Sequence, residues 1–214
     1  MKTVYLLDVD NTLLDNDAAK DELGRRILGA LRADRAARFW ALYEDVRREE
    51  GIVDYPETLR RFHTLSPEAD DTIDRIVWDF PYQRYVYAGA LATVAHLATH
   101  GAPVIFSDGD SLYQPHKIER AGLAAAVRGN VLVTAHKEER ADEVLRRFPA
   151  DHYVAIDDKA PVLARLKERL RECVTTVHVL QGHYAGDPPA GPAPDIVVQR
   201  IGDLADAPLE RIAA

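Results

Sequence analysis

The sequence predicts an α/β protein: a doubly wound parallel sheet of the Rossmann-like, three-layer α/β/α kind, interrupted after its first strand by an all-helical insertion. Three observations carry this expectation. Short apolar runs alternate with stretches of helical period over most of the chain. Those runs are largely apolar, as befits parallel strands covered on both faces. One long stretch near the N-terminus holds amphipathic helices and no strand.

The first strand spans Thr3 to Leu7, and strands resume with Pro103 to Phe106, Val131 to Val133, Tyr153 to Ile156 and Thr175 to Leu180. Ile196 to Val198 adds an edge strand after the Gly- and Pro-rich loop Gly186 to Pro194. Between the strands, helical period marks Leu112 to Ala121, Glu138 to Phe148 and Pro161 to Arg171, the last with Leu163, Leu166 and Leu170 on one face. From Ala18 to Arg84 the pattern is helical alone: Leu23, Ile27 and Leu31 share a face, as do Phe39, Tyr43 and Val46, then Leu59 and Phe62, then Ile73, Ile76, Val77 and Phe80. Ser66-Pro67-Glu68 offers an N-cap, a first-turn proline and an early acid for the last of these. The expected division is a core of residues 1–15 and 86–214 with residues 16–85 inserted where loops at the carboxyl ends of strands host ligands. A lid belongs at that place, although helices that merely pack on the sheet would show the same pattern.

Composition narrows the function. Against 27 Lys and Arg stand 35 Asp and Glu, a net charge of −8, which disfavours a bulk nucleic-acid binder because affinity for phosphate backbones comes from clustered cations. The single Cys173 forms no internal disulfide and no zinc spacing exists, so a reducing, cytoplasmic setting is expected. No signal peptide is read at the N-terminus. The longest stretch free of Asp, Glu, Lys and Arg, Tyr85 to Ser107, is long enough to span a bilayer, but His96, His100, Gly101 and Pro103 divide it into helix, turn and strand, so no membrane span is expected.

Chemistry-bearing residues collect at the strand ends. The first strand runs into Asp8-Val9-Asp10-Asn11-Thr12, the second into Ser107-Asp108-Gly109, the third toward Lys137 and the fourth into Asp157-Asp158. A doubly wound sheet gathers all four on its carboxyl edge. Carboxylates converging there repel one another without a cation, and oxygen-only ligands of this kind suit Mg²⁺. Lys137 supplies a second positive charge that could hold a nucleophilic Asp and a phosphoryl group together.

In their order and strand-end placement these four motifs resemble those of the haloacid dehalogenase-like hydrolase superfamily: an Asp-x-Asp-x-Thr/Val, a Ser/Thr, a Lys and an acidic pair. The helical insertion is similar to that family's C1-type cap. The resemblance implies that Asp8 attacks phosphorus to form an aspartyl phosphate, while Asp10 protonates the leaving oxygen and then activates water. It implies that Ser107, Lys137 and backbone amides near Asp108 and Gly109 hold phosphoryl oxygens. Mg²⁺ is expected on the Asp8 carboxylate, the Asp10 carbonyl and an acid of the pair. Asp158 is favoured as the direct ligand with Asp157 acting through water, and the reverse stays open because no Gly precedes the pair.

Asp10 favours phosphoryl chemistry over 2-haloacid dehalogenation, which needs neither metal nor acid. The expected activity is thus a Mg²⁺-dependent phosphatase acting on a small phosphorylated metabolite, with dehalogenase or phosphomutase as alternatives. A receiver-like signalling module or a silent phospho-ligand binder are alternatives of another class. His178, His183 and Tyr184 carry little weight as a metal or substrate patch. The aromatic and basic residues Trp40, Tyr43, Arg47, Arg60, Arg61 and His63 of the insertion are candidates for leaving-group recognition, Tyr43 and Arg47 sharing a helix face.

Overall fold

The computed structural model describes residues 2–65, 71–187 and 191–208. In chain order the elements are β1 (Thr3–Leu7), α1 (Asn16–Ala30), α2 (Ala33–Glu50), α3 (Tyr55–Leu65), α4 (Thr72–Trp78), α5 (Ala90–Leu97), β2 (Ala102–Asp108), α6 (Tyr113–Arg120), α7 (Leu123–Ala126), β3 (Val131–Thr134), α8 (Ala141–Arg147), β4 (His152–Asp157), α9 (Ala160–Leu170), β5 (Val174–Val179) and β6 (Ile196–Val198). The sheet order is β3-β2-β1-β4-β5-β6, and every neighbouring pair is parallel. The chain winds one way from β1 through β2 to β3, then crosses to β4 and winds the other way. The crevice between the carboxyl ends of β1 and β4 is therefore the topological switch point, where open α/β sheets bind ligands.

Strand pleating sends alternate side chains of β1 into two cores. Val4 and Leu6 pack with Val104, Phe106, Tyr153, Leu163 and Leu166 beneath α8 and α9. Tyr5 and Leu7 point the other way and join a core that continues without a break into the inserted helices, through Leu23 and Ile27 of α1, Phe39 of α2, Phe62 of α3 and Val77 of α4. The apolar stripes read from the sequence are the faces buried here, with Leu31 and Ile76 only partly buried at the edge of this core. The expected helix Glu138 to Phe148 is divided: Lys137–Glu139 forms a 3₁₀ turn, Arg140 leaves helical geometry with φ −104°, and α8 follows. Ser66-Pro67-Glu68 lies outside the described residues.

The excursion from β1 into the helices begins and ends at one point. The Asp15 amide donates to the Tyr85 carbonyl at 2.7 Å, and the Tyr87 amide donates to the Leu13 carbonyl at 3.0 Å. Leu14 also bridges Val86 in antiparallel sense. Asp15 then caps α1, its carboxylate accepting from the Ala18 amide at 3.0 Å. The Tyr85 to Ser107 stretch resolves into α5 and β2. Among the described residues no helix is long and apolar enough to cross a membrane.

Candidate active site

Asp8 leaves β1 with its amide still bonded to the Ile156 carbonyl of β4, so the sheet ladder fixes its position. The chain then turns sharply at Asn11, whose φ of 61° is a left-handed conformation that Asn tolerates better than most residues. The Asn11 side-chain oxygen accepts from the Asn16 and Asp17 amides at 3.1 and 3.2 Å, joining the turn to the start of α1. Lys137 reaches the same place from the loop after β3. Its ammonium bonds Asp8 Oδ1 and, at 2.7 Å, Asp157 Oδ2, while its backbone amide donates to Asp108 Oδ1 at 2.7 Å.

Asp158 differs from its neighbours. It is fully buried, both its carboxylate oxygens lack a hydrogen-bond partner among the described residues, and ligand oxygens of Asp8, Asp157 and Asp158 lie within 4.8 Å of one another. Its backbone carbonyl faces the ring of His178 in β5, with Nε2 at 2.8 Å. A buried charge with no partner is expensive, and the electrostatics reflect this. Burial first, then the charges of Asp157 and Asp8, push the Asp158 carboxyl up to about 9. Burial likewise pushes Asp8 up to about 6, with Lys137 opposing and Asp157 adding to the rise. For Lys137 burial pulls downward, but the carboxylates of Asp157 and Asp8 outweigh it and hold the ammonium well above the usual lysine range. Lys159, immediately after the acidic pair, follows the same pattern. Three carboxylates converge with fewer ammonium groups than they need, and the shortfall is centred on Asp158. A hard divalent cation with oxygen ligands fits that donor set.

Of the other motif residues, Asp10, Asp108 and Gly109 line a cavity beside this cluster. Ser107, buried at the end of β2, accepts from Gln114 Nε2 at 3.0 Å. Gly109 makes that approach feasible, since a Cβ there would stand 2.7 Å from Gln114 Cβ. Its amide, expected to face phosphoryl oxygens, instead donates to the Thr134 carbonyl at 3.1 Å, because β2 and β3 extend their ladder by one residue. Asp10 is gripped from α6: Lys117 Nζ stands 2.5 Å from its Oδ1 and Gln114 Nε2 3.4 Å from its Oδ2. A cavity of about 510 Å³ opens above these groups between the sheet edge and the inserted helices, reached by Asp10, Asp108 and Gly109 from below and by Tyr43 and Arg47 from α2. Its far rim carries His183 and Tyr184, with His183 Nδ1 2.7 Å from Asp17 Oδ1.

The sequence-derived candidates thus divide in two. Asp8, Lys137, Asp157 and Asp158 form one buried cluster, while Asp10, Asp108 and Gly109 line the cavity and the buried Ser107 meets it through Gln114, which lines it. Lys117, Gln114 and Lys159 were not singled out from sequence. The signal for the first two is the spacing Tyr113, Gln114, Lys117 on one face of α6, a pattern that identifies a buried stripe without saying that its polar members meet an acid.

With this geometry in place, relatives among solved structures define the class. A protein from Burkholderia xenovorans LB400 assigned as a haloacid dehalogenase-like hydrolase is 40% identical, with TM-score 0.90, over 100% of this chain and 99% of its own. The chain belongs to the haloacid dehalogenase-like hydrolases. More distant structures share the fold at 19% identity and TM-score 0.60. One is YfnB from Bacillus subtilis, assigned as a HAD-hydrolase, bound to magnesium and covering 95% of this chain and 96% of its own. Another is the L-2-haloacid dehalogenase of Xanthobacter autotrophicus with chloropropionic acid covalently bound, covering 100% of both chains. No family model and no curated protein matches the chain.

Proposed function

We propose that this hydrolase is a Mg²⁺-dependent phosphatase that cleaves phosphoric monoesters of small metabolites, with Asp8 as nucleophile and Asp10 as general acid and base. The observation that carries the reading is the buried carboxylate of Asp158, without a hydrogen-bond partner among the described residues, beside Asp8 and Asp157: a donor set that suits a divalent cation and that metal-free displacement does not require. Asp8, the Asp10 backbone carbonyl and Asp158 would hold Mg²⁺, with Asp157 acting through water. Bound there, the ion offsets negative charge on the carboxylates and on the phosphoryl oxygens.

The chain's own groups supply the rest. Lys137 keeps Asp8 oriented and counters its charge. Asp8 attacks phosphorus, a P–O bond forms to its carboxylate and the ester P–O bond breaks. Asp10 gives its proton to the departing oxygen, then takes one from the water that hydrolyses the aspartyl phosphate, which releases inorganic phosphate and restores Asp8. Ser107 and Lys137 hold the equatorial oxygens as charge redistributes. A concave cavity of about 510 Å³, walled on one side by the inserted helices, favours a small substrate over a protein.

A second reading, 2-haloacid dehalogenation, uses the same Asp8 to displace halide from carbon. It draws on the Xanthobacter enzyme, whose fold the chain shares and which has chloropropionic acid covalently bound. Phosphoryl transfer within one substrate, as in a phosphomutase, also employs Asp10. Hydrolysis of p-nitrophenyl phosphate with Mg²⁺, with EDTA and by Asp8→Asn tests the first reading, with chloride release from 2-chloropropionate measured in parallel. Phosphate release that needs both metal and Asp8 supports the phosphatase. Chloride release without metal, and no phosphate release, replaces it with the dehalogenase.

A further inference from the structure

Lys117 presents a physical puzzle. Lysine is among the residues least often buried, yet Lys117 is 4% exposed in the middle of α6, beside Tyr82. Its ammonium has three neighbours: Asp10 Oδ1 at 2.5 Å, Asn16 Oδ1 at 2.6 Å and the ring face of Tyr82 at 5.3 Å. An apolar side chain would fill this space at lower desolvation cost. What the lysine alone supplies is a fixed positive charge against one oxygen of Asp10. Among the described residues the other oxygen, Oδ2, keeps only the long 3.4 Å contact from Gln114, and Asp10 lines the cavity.

We infer that Lys117 is the positioning residue of Asp10: clamped by Asn16 and Tyr82, its ammonium fixes Oδ1 and so makes Oδ2 the oxygen that exchanges the proton with the leaving group. This inference rests on the phosphatase reading. As the ester P–O bond breaks, the proton passes from Oδ2 to the departing alkoxide oxygen. The negative charge left on Asp10 develops beside an ammonium already in place, so no group has to reorganise. Lys117 keeps its own protons throughout. Because Asn16 opens α1 and Lys117 belongs to α6, the clamp also ties the first turn of the inserted helices to the acid they cover.

The test compares an ester that needs an acid with one that does not. The alkoxide of β-glycerol phosphate leaves poorly without a proton, whereas p-nitrophenolate leaves unaided. The value of kcat/KM reports only the steps through phosphoenzyme formation, so slow dephosphorylation does not blur it. With Mg²⁺ present, Lys117→Met is expected to lower kcat/KM about 30- to 100-fold for β-glycerol phosphate and less than about threefold for p-nitrophenyl phosphate. In an Asp10→Asn background the same change should leave the ratio of the two rates unaltered, because the residue acts through Asp10. Should Lys117→Met fail to fold, Asn16→Ala removes only the ammonium's second anchor and should move the ratio the same way, about three- to fivefold. An equal fall on both esters, or no change in ratio for the variant that folds, overturns the inference while leaving the phosphatase reading intact. A wild-type protein that hydrolyses neither ester removes both.

Discussion

At the carboxyl edge of the sheet, the side chains of Asp8, Lys137 and Asp157 are each 8% exposed or less, whereas across the cavity Lys20, Glu44 and Arg47 of the inserted helices stand 38 to 49% exposed. Both regions hold ion pairs, but water decides what those pairs are worth. The exposed set, with Glu44 3.7 Å from Lys20 and 3.6 Å from Arg47, is screened and contributes little to stability. The buried set has exchanged hydration for mutual contact, so removing any member strands another charge in a medium that cannot solvate it. One region is therefore built around charges that depend on one another, and the other can change its residues at small cost.

The largest expected effect follows from Lys137. Lys137→Ala leaves Asp8 and Asp157 facing each other without their shared cation. Activity should fall about 10³-fold and unfolding free energy by about 3–5 kcal/mol, measured by turnover and denaturant titration. A loss of stability below about 1 kcal/mol would mean that this cluster is screened like the exposed one.

Next comes pH. The carboxyls of Asp158 and Asp8 are held up to about 9 and about 6, above their unfolded values near 4, so the folded protein binds the extra protons. Their contribution to stability is complete below the unfolded value and is lost as pH rises through the folded ones. Metal-free protein should therefore melt at progressively lower temperature from pH 5 to pH 8, and Mg²⁺ should raise the melting temperature more at pH 8 than at pH 5, followed by thermal shift. A Mg²⁺ effect independent of pH would contradict the assignment of the unpaired charge to Asp158.

The smallest effect belongs to the helical side. Arg47→Ala should raise KM for the physiological class of substrate about three- to tenfold, leave the Mg²⁺ dependence unchanged and shift stability by no more than about 0.5 kcal/mol. A large stability loss would erase the contrast between the two walls.

That contrast also explains what the sequence made legible. Strand ends are fixed by a two-residue period and by the sheet, so Asp8, Ser107, Asp157 and Asp158 could be placed on one edge from their positions alone. The inserted helices were legible as apolar faces for the same reason, Phe39, Phe62 and Val77 all being buried where their spacing puts them. Lys117 and Gln114 were not, because helical period says that a face is covered but not which acid covers it. Their partners Asp10 and Ser107 lie 107 and 7 residues away along the chain. Nor could the Gly109 amide be foreseen as part of the ladder with β3, since the length of a strand pairing depends on where the neighbouring strand stops.

The backbone hydrogen bonds that join Leu13 and Asp15 to Tyr85 and Tyr87 make the helical segment a loop whose two ends share one address. Its length can change without altering the distance the chain must span at its root, and lengthening such a loop costs only slowly growing closure entropy. The segment is in that sense exchangeable: a helical segment from a relative, spliced between Asp15 and Tyr85, would leave the pairing of β1 with β2 and β4 in register and bring a different wall to the same carboxylates.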